Sequence, residues 1–289
     1  MQESALVVRN LSKIFPNGTG IDSLNFEVES GKIFGFLGPN GSGKTTLIRC
    51  LMDEIKSYDG AIEIFSQNPR SNAELKKMIG YISSGPQLYD SWNGHDHLNF
   101  LKKYRGTFDA KPFIKRLDLD MNTKYRDLSS GNKQKLALLV ALYGAPKLLI
   151  MDEPTKALDP LLQQEFYKIL FEYRRSGGTV FMSSHNLPEV ERLCDSFALI
   201  KKGKIIVNES IDALKNLSIK EVSVTTEEPL NTSLLKAAGA NVTSHHASTA
   251  TLRVRGDINP IIKLLARHKI KDIQITHADL EDIFMEFYK

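Results

Sequence analysis

Residues 38–45, Gly-Pro-Asn-Gly-Ser-Gly-Lys-Thr, fit the pattern GxxxxGK[ST] and lie between an apolar run, Ile33 to Leu37, and a segment of helical periodicity. That strand, loop and helix context is the one in which the pattern binds phosphate. Gly38, Gly41 and Gly43 let the backbone wrap so that several N–H groups face inward, and the helix that follows adds its positive end. A helix end contributes only about 0.3–1 kcal/mol at an exposed site, so the converging N–H groups and Lys44 must supply most of the grip. Lys44 would reach the β- and γ-phosphates of a nucleotide, and the Thr45 hydroxyl would ligate Mg²⁺. The structural alternative is a glycine-rich turn, and the flanking strand and helix weigh against it.

The second group is Leu148 to Glu153, LLIMDE, an apolar run that ends in adjacent carboxylates. Side chains alternate along a strand, so consecutive acids at its tip face different ways and cannot share one task. Asp152 is placed to hold Mg²⁺ through its water shell, and Glu153 to polarise the water that attacks the γ-phosphorus. Mg²⁺ keeps several waters and takes few protein ligands, so one hydroxyl and one carboxylate suit it. A solvated strand end before Pro154 is the other reading. His95, Asp96 and His97 would diverge on a helix, and His245 and His246 would face both sides of a strand, so surface or capping roles are expected of them.

These groups need elements to position them. Leu24, Phe26 and Val28 alternate with polar residues before a turn at 29–32, which predicts an antiparallel hairpin feeding the buried strand Ile33 to Leu37. Leu47, Ile48, Leu51 and Ile55 mark the helix after the loop. Apolar runs at Ile79 to Ile82, Leu148 to Met151, Val180 to Met182 and Phe197 to Ile200 alternate with helical patterns, as in a mostly parallel sheet covered by helices. Between about 87 and 145 no strand is convincing, and Asn93 with Asp96 resembles a helix cap, so this is a helical insertion. A turn at Lys201 to Lys204 joins two short strands, and a helix is expected over 211–217. From Glu221 the order becomes strand, helix, strand, strand, helix, strand and a last helix capped by Asp279, a small α+β unit of ferredoxin-like type. The expected domains are therefore 1–217 and 218–289.

The chain has 289 residues, 42% hydrophobic and 25% charged, with 19 Gly and 11 Pro, which excludes disorder and collagen-like structure. The longest apolar stretch, Leu136 to Leu142, is far short of the roughly 20 residues that cross a bilayer as a helix. An early acid and the absence of a basic leader speak against a secretory signal and for the cytosol. Cys50 and Cys194 have no CxxC or CxxH partner and read as buried thiols. A net charge of +4, not gathered into a basic block, gives no reason to expect nucleic acid.

Taken in order, Gly38 to Thr46 (GPNGSGKTT), Leu128-Ser129-Ser130-Gly131-Asn132, Leu148 to Pro154 (LLIMDEP), Ala157 to Pro160 (ALDP) and His185 in FMSSHN resemble the motifs of ATP-binding subunits of ABC transporters. The resemblance spans roughly Leu6 to Leu217. It implies a P-loop NTPase core with an antiparallel β edge, and a head-to-tail dimer closing on two ATP molecules. Each ATP would be held by Gly38 to Thr46 (Gly38, Pro39, Asn40, Gly41, Ser42, Gly43, Lys44, Thr45, Thr46) of one subunit and by Leu128 to Asn132 of the other. It also implies that His185 contacts the γ-phosphate, that Asp159 links the two sites and that Phe15 stacks on adenine. The physics of a helix N-terminus agrees with a phosphate role for Ser129 and Gly131, although Ser129 can equally be an ordinary N-cap.

The chain departs from the family pattern at Ser84, where Gln or Glu is usual and Gln87 follows three residues later, at Ser130 and Asn132 in the signature, and at Lys156. Slower or asymmetric hydrolysis would follow from the Cβ of Ser130 beside a bound phosphate. The tail, Asp279 to Tyr288 (DLEDIFMEFY), resembles that of subunits serving ABC-2 type exporters. The expected function is ATP hydrolysis with Mg²⁺ that powers transport, and export by the tail, through a separate membrane permease docked on the helical insertion and the segment Ser84 to Tyr89. A second ATP-binding subunit, identical or different, completes the sandwich, at the cytoplasmic face of the membrane. The rivals are a soluble ATPase of the same superfamily acting on ribosomes or DNA, and an ATP-binding regulatory subunit with little turnover.

Overall fold

Continuous apolar runs and alternating ones sort into different sheets, because a strand buried on both faces cannot afford polar side chains while a half-covered one can. The computed structural model describes residues 3–70, 72–156, 158–213, 219–255 and 257–277 and divides into two units, Met1–Glu209 and Ser210–Lys289.

The first unit holds two sheets. β1 (Ser4–Ile14), β2 (Gly20–Glu29) and β4 (Asp59–Ile64) form an antiparallel sheet in the order β2-β1-β4. β3 (Ile33–Leu37), β5 (Ile79–Ile82), β6 (Leu148–Asp152), β7 (Thr179–Ser184), β8 (Ser196–Lys201) and β9 (Lys204–Ser210) form the other, in the order β5-β6-β7-β3-β8-β9. Its first five strands are parallel. β3, β6 and β7 are buried along their whole length.

The expected hairpin is corrected here. β2 pairs with β1, and the turn at 29–32 carries the chain into the other sheet, where β3 has β7 on one side and β8 on the other and so offers no free edge. The alternating residues of β2 meet β3 through side chains instead: Phe26 packs on Phe34 and Phe36, with Phe181 of β7 completing the cluster at centroid spacings of 5.4 to 5.9 Å.

The phosphate-loop pattern leads into α1 (Lys44–Leu51), which buries Leu47, Ile48 and Leu51. It is shorter than the expected helix, because Asp53 takes a left-handed conformation (φ 60°) and the amides of Glu54 and Ile55 turn back to the Arg49 carbonyl, leaving Ile55 outside the helix. After the short α2 (Ala73–Lys77), the insertion contains α3 (Gly94–Arg105), α4 (Lys111–Arg116) and α5 (Ser130–Leu142), with no strand among its described residues. Asn93 and Asp96 form a reciprocal capping box on α3. The half-buried guanidinium of Arg105 donates to the carbonyls of Tyr143 and Ile79, at 3.1 and 2.5 Å, and so ties the ends of α3 and α5 to strand β5. α6 (Pro160–Arg175) and α7 (Leu187–Leu193) follow β6 and β7.

In the second unit β10 (Ile219–Thr226), α8 (Thr232–Ala237), β11 (Ala240–His246), β12 (Thr249–Arg255), α9 (Asn259–Leu265) and β13 (Ile270–His277) give the expected βαββαβ succession. The strands pair antiparallel in the order β11-β12-β10-β13, as in the ferredoxin-like arrangement. Val222, Val224, Leu252 and Val254 meet Leu235, Ile261 and Leu265 of the helices in its core. The expected helix at 211–217 lies partly, and the helix capped by Asp279 wholly, outside the described residues.

Candidate functional site

Parallel strands send their following loops to one edge, and adjacent β6, β7 and β3 deliver the loops that begin at Glu153, His185 and Gly38 to the same edge of the sheet. The backbone of the Gly38–Thr45 loop depends on glycine where it starts α1. Gly43 has φ 112°, and a Cβ there would lie 2.7 Å from Ile21 and 2.9 Å from the Gly20 carbonyl. No side chain caps α1, so the amides of its first turn are left for an anion.

A cavity of about 270 Å³ lies over this loop, lined by Asn40, Gly41, Gly43, Lys44, Thr45, Thr46 and Glu153 together with Thr19 and Gly20. Lys44 is 5% exposed and donates to the carbonyls of Gly38 and Pro39, at 2.7 and 3.0 Å. Its ammonium also lies 3.3 Å from Glu153 Oε1. The Thr45 hydroxyl donates to Asp152 Oδ2 at 2.8 Å, so the two oxygens assigned to a cation do meet. Ser42 is buried in the loop, and its hydroxyl makes no hydrogen bond to the described residues.

The adjacent acids diverge as strand geometry requires. Asp152, 1% exposed, accepts from Ser183 Oγ at 2.5 Å as well as from Thr45. Glu153 leaves the strand in a left-handed conformation (φ 47°), a strained one for a non-glycine residue. Its amide donates to Ser183 Oγ at 3.0 Å and to the Ser183 carbonyl at 3.2 Å. Burial pushes the Glu153 carboxyl up, but Lys44, His185 and Lys156 more than offset it, and its pKa lies below the ordinary value. His185 Nδ1 is 3.4 Å from Glu153 Oε1 and Lys156 Nζ is 3.5 Å from Oε2.

Lys44, Thr45, Asp152, Glu153 and His185 are thus brought together, and other expected residues are elsewhere. Ser129 caps α5 by accepting from the Asn132 amide at 3.3 Å. Leu128 is buried, Ser129 and Ser130 are exposed, and none of 128–132 lines the Lys44 cavity. Asp159 caps α6, accepting from the Leu162 amide at 2.9 Å, and is exposed. Phe15 opens the β1–β2 turn with the Lys13 ammonium 5.5 Å from its ring, while Thr19 and Gly20 of that turn line the cavity. Ser84 and Gln87 are exposed in the loop after β5.

Gln87 borders a second cavity, of about 480 Å³, with Leu88, Tyr89, Trp92, His97 and Phe100. The tilted rings of Tyr89 and Trp92 have centroids 4.3 Å apart, those of Trp92 and Phe100 5.4 Å apart, and the chain of rings continues to Tyr104. Tyr89, Phe100 and Tyr104 are exposed. His97, unlike the exposed His95, is turned inward: Nδ1 lies 2.7 Å from the Asn93 carbonyl and Nε2 accepts from the Tyr89 amide. Burial lowers its pKa, which fits a neutral ring with the proton on Nδ1.

Ser183, Thr19 and Gly20 were not singled out by sequence. Ser183 is legible only once β6 is known to neighbour β7 in the register Asp152 to Ser183. Gln134 was missed for the same reason; from α5 its side-chain amide donates to the Pro154 carbonyl at 2.6 Å.

The family model described as ABC transporter matches residues 21–156. The lantibiotic transport ATP-binding protein SrtF of Streptococcus pyogenes is 34% identical over 73% of this chain and 93% of that protein. The bacitracin transport ATP-binding protein BcrA of Bacillus licheniformis is 32% identical over 96% of this chain and 95% of its own length. Among solved structures, an ATP binding subunit of an ABC transporter superposes with a TM-score of 0.68 at 26% identity, covering 73% of this chain and 92% of that one.

Proposed function

Because the chain belongs to the ATP-binding proteins of ABC transporters, we propose that it works as one of a pair of ATP-hydrolysing subunits that drive export through a separate membrane protein. The observation that carries the hydrolytic reading is the chain of contacts that joins Lys44 and His185 to Glu153, beside the Thr45 hydroxyl bonded to Asp152, at the edge of the cavity over the glycine loop. Lys44 and the first-turn amides of α1 hold the phosphates. Glu153 accepts a hydrogen bond, and then the proton, from the attacking water, and His185, beside it, orients the terminal phosphate. Two hard oxygen donors, the Thr45 hydroxyl and the Asp152 carboxylate, suit Mg²⁺. When bound, that ion neutralises charge on the phosphate oxygens.

Ser129, the Gly131 amide and Asp159 are exposed or half-buried and outside the Lys44 cavity, which supports their serving the second subunit's nucleotide across a dimer. Export is supported by the lantibiotic and bacitracin transport ATP-binding proteins among the relatives. No helix among the described residues is long and apolar enough to cross a membrane; likeness to transport ATP-binding proteins supports a separate partner for the membrane path. The exposed rings of Tyr89, Phe100 and Tyr104, with the half-buried Trp92 between them, support a dock for a cytoplasmic segment of that partner, which would hold the chain at the cytoplasmic face. The test is Glu153→Gln with ATP: size-exclusion chromatography should show an ATP-dependent dimer, and a persistent monomer at high ATP refutes the paired mechanism.

A further inference from the structure

Glu189 of α7 is a buried carboxylate, 6% exposed, that none of the roles above uses. It faces no cation among the described residues; hydroxyl groups alone hold it. Oε1 accepts from Thr155 Oγ1 at 2.6 Å and from the Tyr167 hydroxyl at 3.5 Å, and Oε2 accepts from Ser184 Oγ at 2.6 Å. Burial and the neighbouring carboxylate push the Tyr167 phenol up to about 12, so it remains a donor at neutral pH. A carboxylate taken out of water without a counter-ion is costly, and an apolar residue in its place would avoid that cost.

The two short bonds reach two different loops. Thr155 lies in the segment that runs from Glu153 to Asp159, and Ser184 directly precedes His185. Ser184 Oγ also accepts from the Asn186 amide at 3.0 Å, which shapes the turn carrying His185. The loops face each other across a polar cavity of about 190 Å³ bordered by Glu153, Thr155, Lys156, His185, Asn186 and Glu189. One carboxylate therefore spans the turn that sets His185 and the turn that leads to Asp159, with a charge-assisted bond to each.

We infer that Glu189 is a positioning residue whose carboxylate makes the turn at Thr155 and the turn at His185 move as one body, with the Leu158 amide, bonded to the Thr155 carbonyl, carrying the motion toward Asp159. A shift of His185 at the γ-phosphate is then passed to Asp159 at the subunit contact. The inference rests on the hydrolytic, paired reading given under Proposed function. Thr155 provides the cleanest perturbation, because Thr155→Val removes one strut at nearly constant volume and leaves the carboxylate with its other donors, whereas Thr155→Ser keeps the strut.

The experiment uses the full-length chain co-purified with its membrane partner. Thr155→Val should lower kcat about tenfold with KM for ATP within about twofold, and Thr155→Ser should retain the rate. On a His185→Ala background, Thr155→Val should add less than about a twofold loss, since both changes cut one linkage. A rate unchanged by Thr155→Val, or a loss that multiplies in full on His185→Ala, overturns the inference. Amide hydrogen exchange of peptides covering 153–159 and 183–187 is read in parallel. On addition of ATP both should slow together in the unaltered chain and separately in Thr155→Val, and joint slowing in the variant overturns it. Binding of ATP without hydrolysis by the unaltered complex would instead refute the hydrolytic reading and leave the exchange measurement standing as the test.

Discussion

The lysine that should receive phosphate already faces a carboxylate, and this competition can be measured. Lys44 Nζ and Glu153 Oε1 are 3.3 Å apart, and at an effective dielectric of about 20 that separation corresponds to about 5 kcal/mol of attraction. Both side chains are nearly buried, so the cost of holding them out of water offsets most of it, leaving a net of about 1–2 kcal/mol. A nucleotide phosphate must displace this carboxylate. Glu153→Gln removes the competing charge while Lys44 keeps its bonds to the Gly38 and Pro39 carbonyls. ADP, which avoids turnover, should therefore bind about tenfold more tightly to Glu153→Gln than to the unaltered chain by isothermal titration calorimetry. The pKa of Glu153 lies below the ordinary value, so its carboxylate is ionised at neutral pH and a buffer near pH 7 probes the competition. Equal or weaker ADP binding by the variant would refute the competition.

Three further outcomes follow from the same geometry. Ser183→Ala strips a 2.5 Å hydrogen bond from the buried Asp152 carboxylate and should cost about 2 kcal/mol in urea unfolding; a loss below about 0.5 kcal/mol would show that the bond is not needed. At Gly80 of β5 a Cβ would lie 2.2 Å from the Ala141 carbonyl of α5, so Gly80→Ala should destabilise by about 1–3 kcal/mol, seen as a lower Tm, and an unchanged Tm would contradict this packing. The Arg116 hydrogen bond, outweighing desolvation, holds Glu165 below its ordinary pKa. That stabilisation is present above the unfolded carboxyl value and is lost as pH falls through the lower folded one, so Arg116→Met should flatten the acid limb of a stability profile below about pH 4.5, by under about 1 kcal/mol for this partly exposed pair.

The elements that announce themselves locally were legible in the chain. Residues 38–45 carry their own glycines, lysine and threonine within one loop and the first turn of a helix, so the phosphate-loop pattern can be read without knowing any distant neighbour. The capping box of Asn93 and Asp96, and the runs at Ile79 to Ile82 and Leu148 to Met151, are likewise short-range signals, and the structure has a capped helix and strands at those places. The βαββαβ order of the second unit was readable because each strand and helix has its own periodicity and punctuation.

What could not be read depends on which strand lies beside which. Leu24, Phe26 and Val28 alternate in a way that fits pairing with either neighbouring strand, and only the occupied edges of β3 send β2 to β1. Gln134 and Ser183 are polar residues in ordinary positions until α5 and β7 bring them to Pro154 and Asp152, 20 and 31 residues away in sequence. Glu189 is similar: in sequence it is one of two acids on a short helix, and in space it joins two loops. Residue types and spacing along the chain determined the local chemistry, because phosphate-loop and strand-end groups act through backbone geometry set within a few residues. Tertiary structure decided which charges meet, because contacts such as Lys44 with Glu153 exist only where separate strands are held side by side by a core they share.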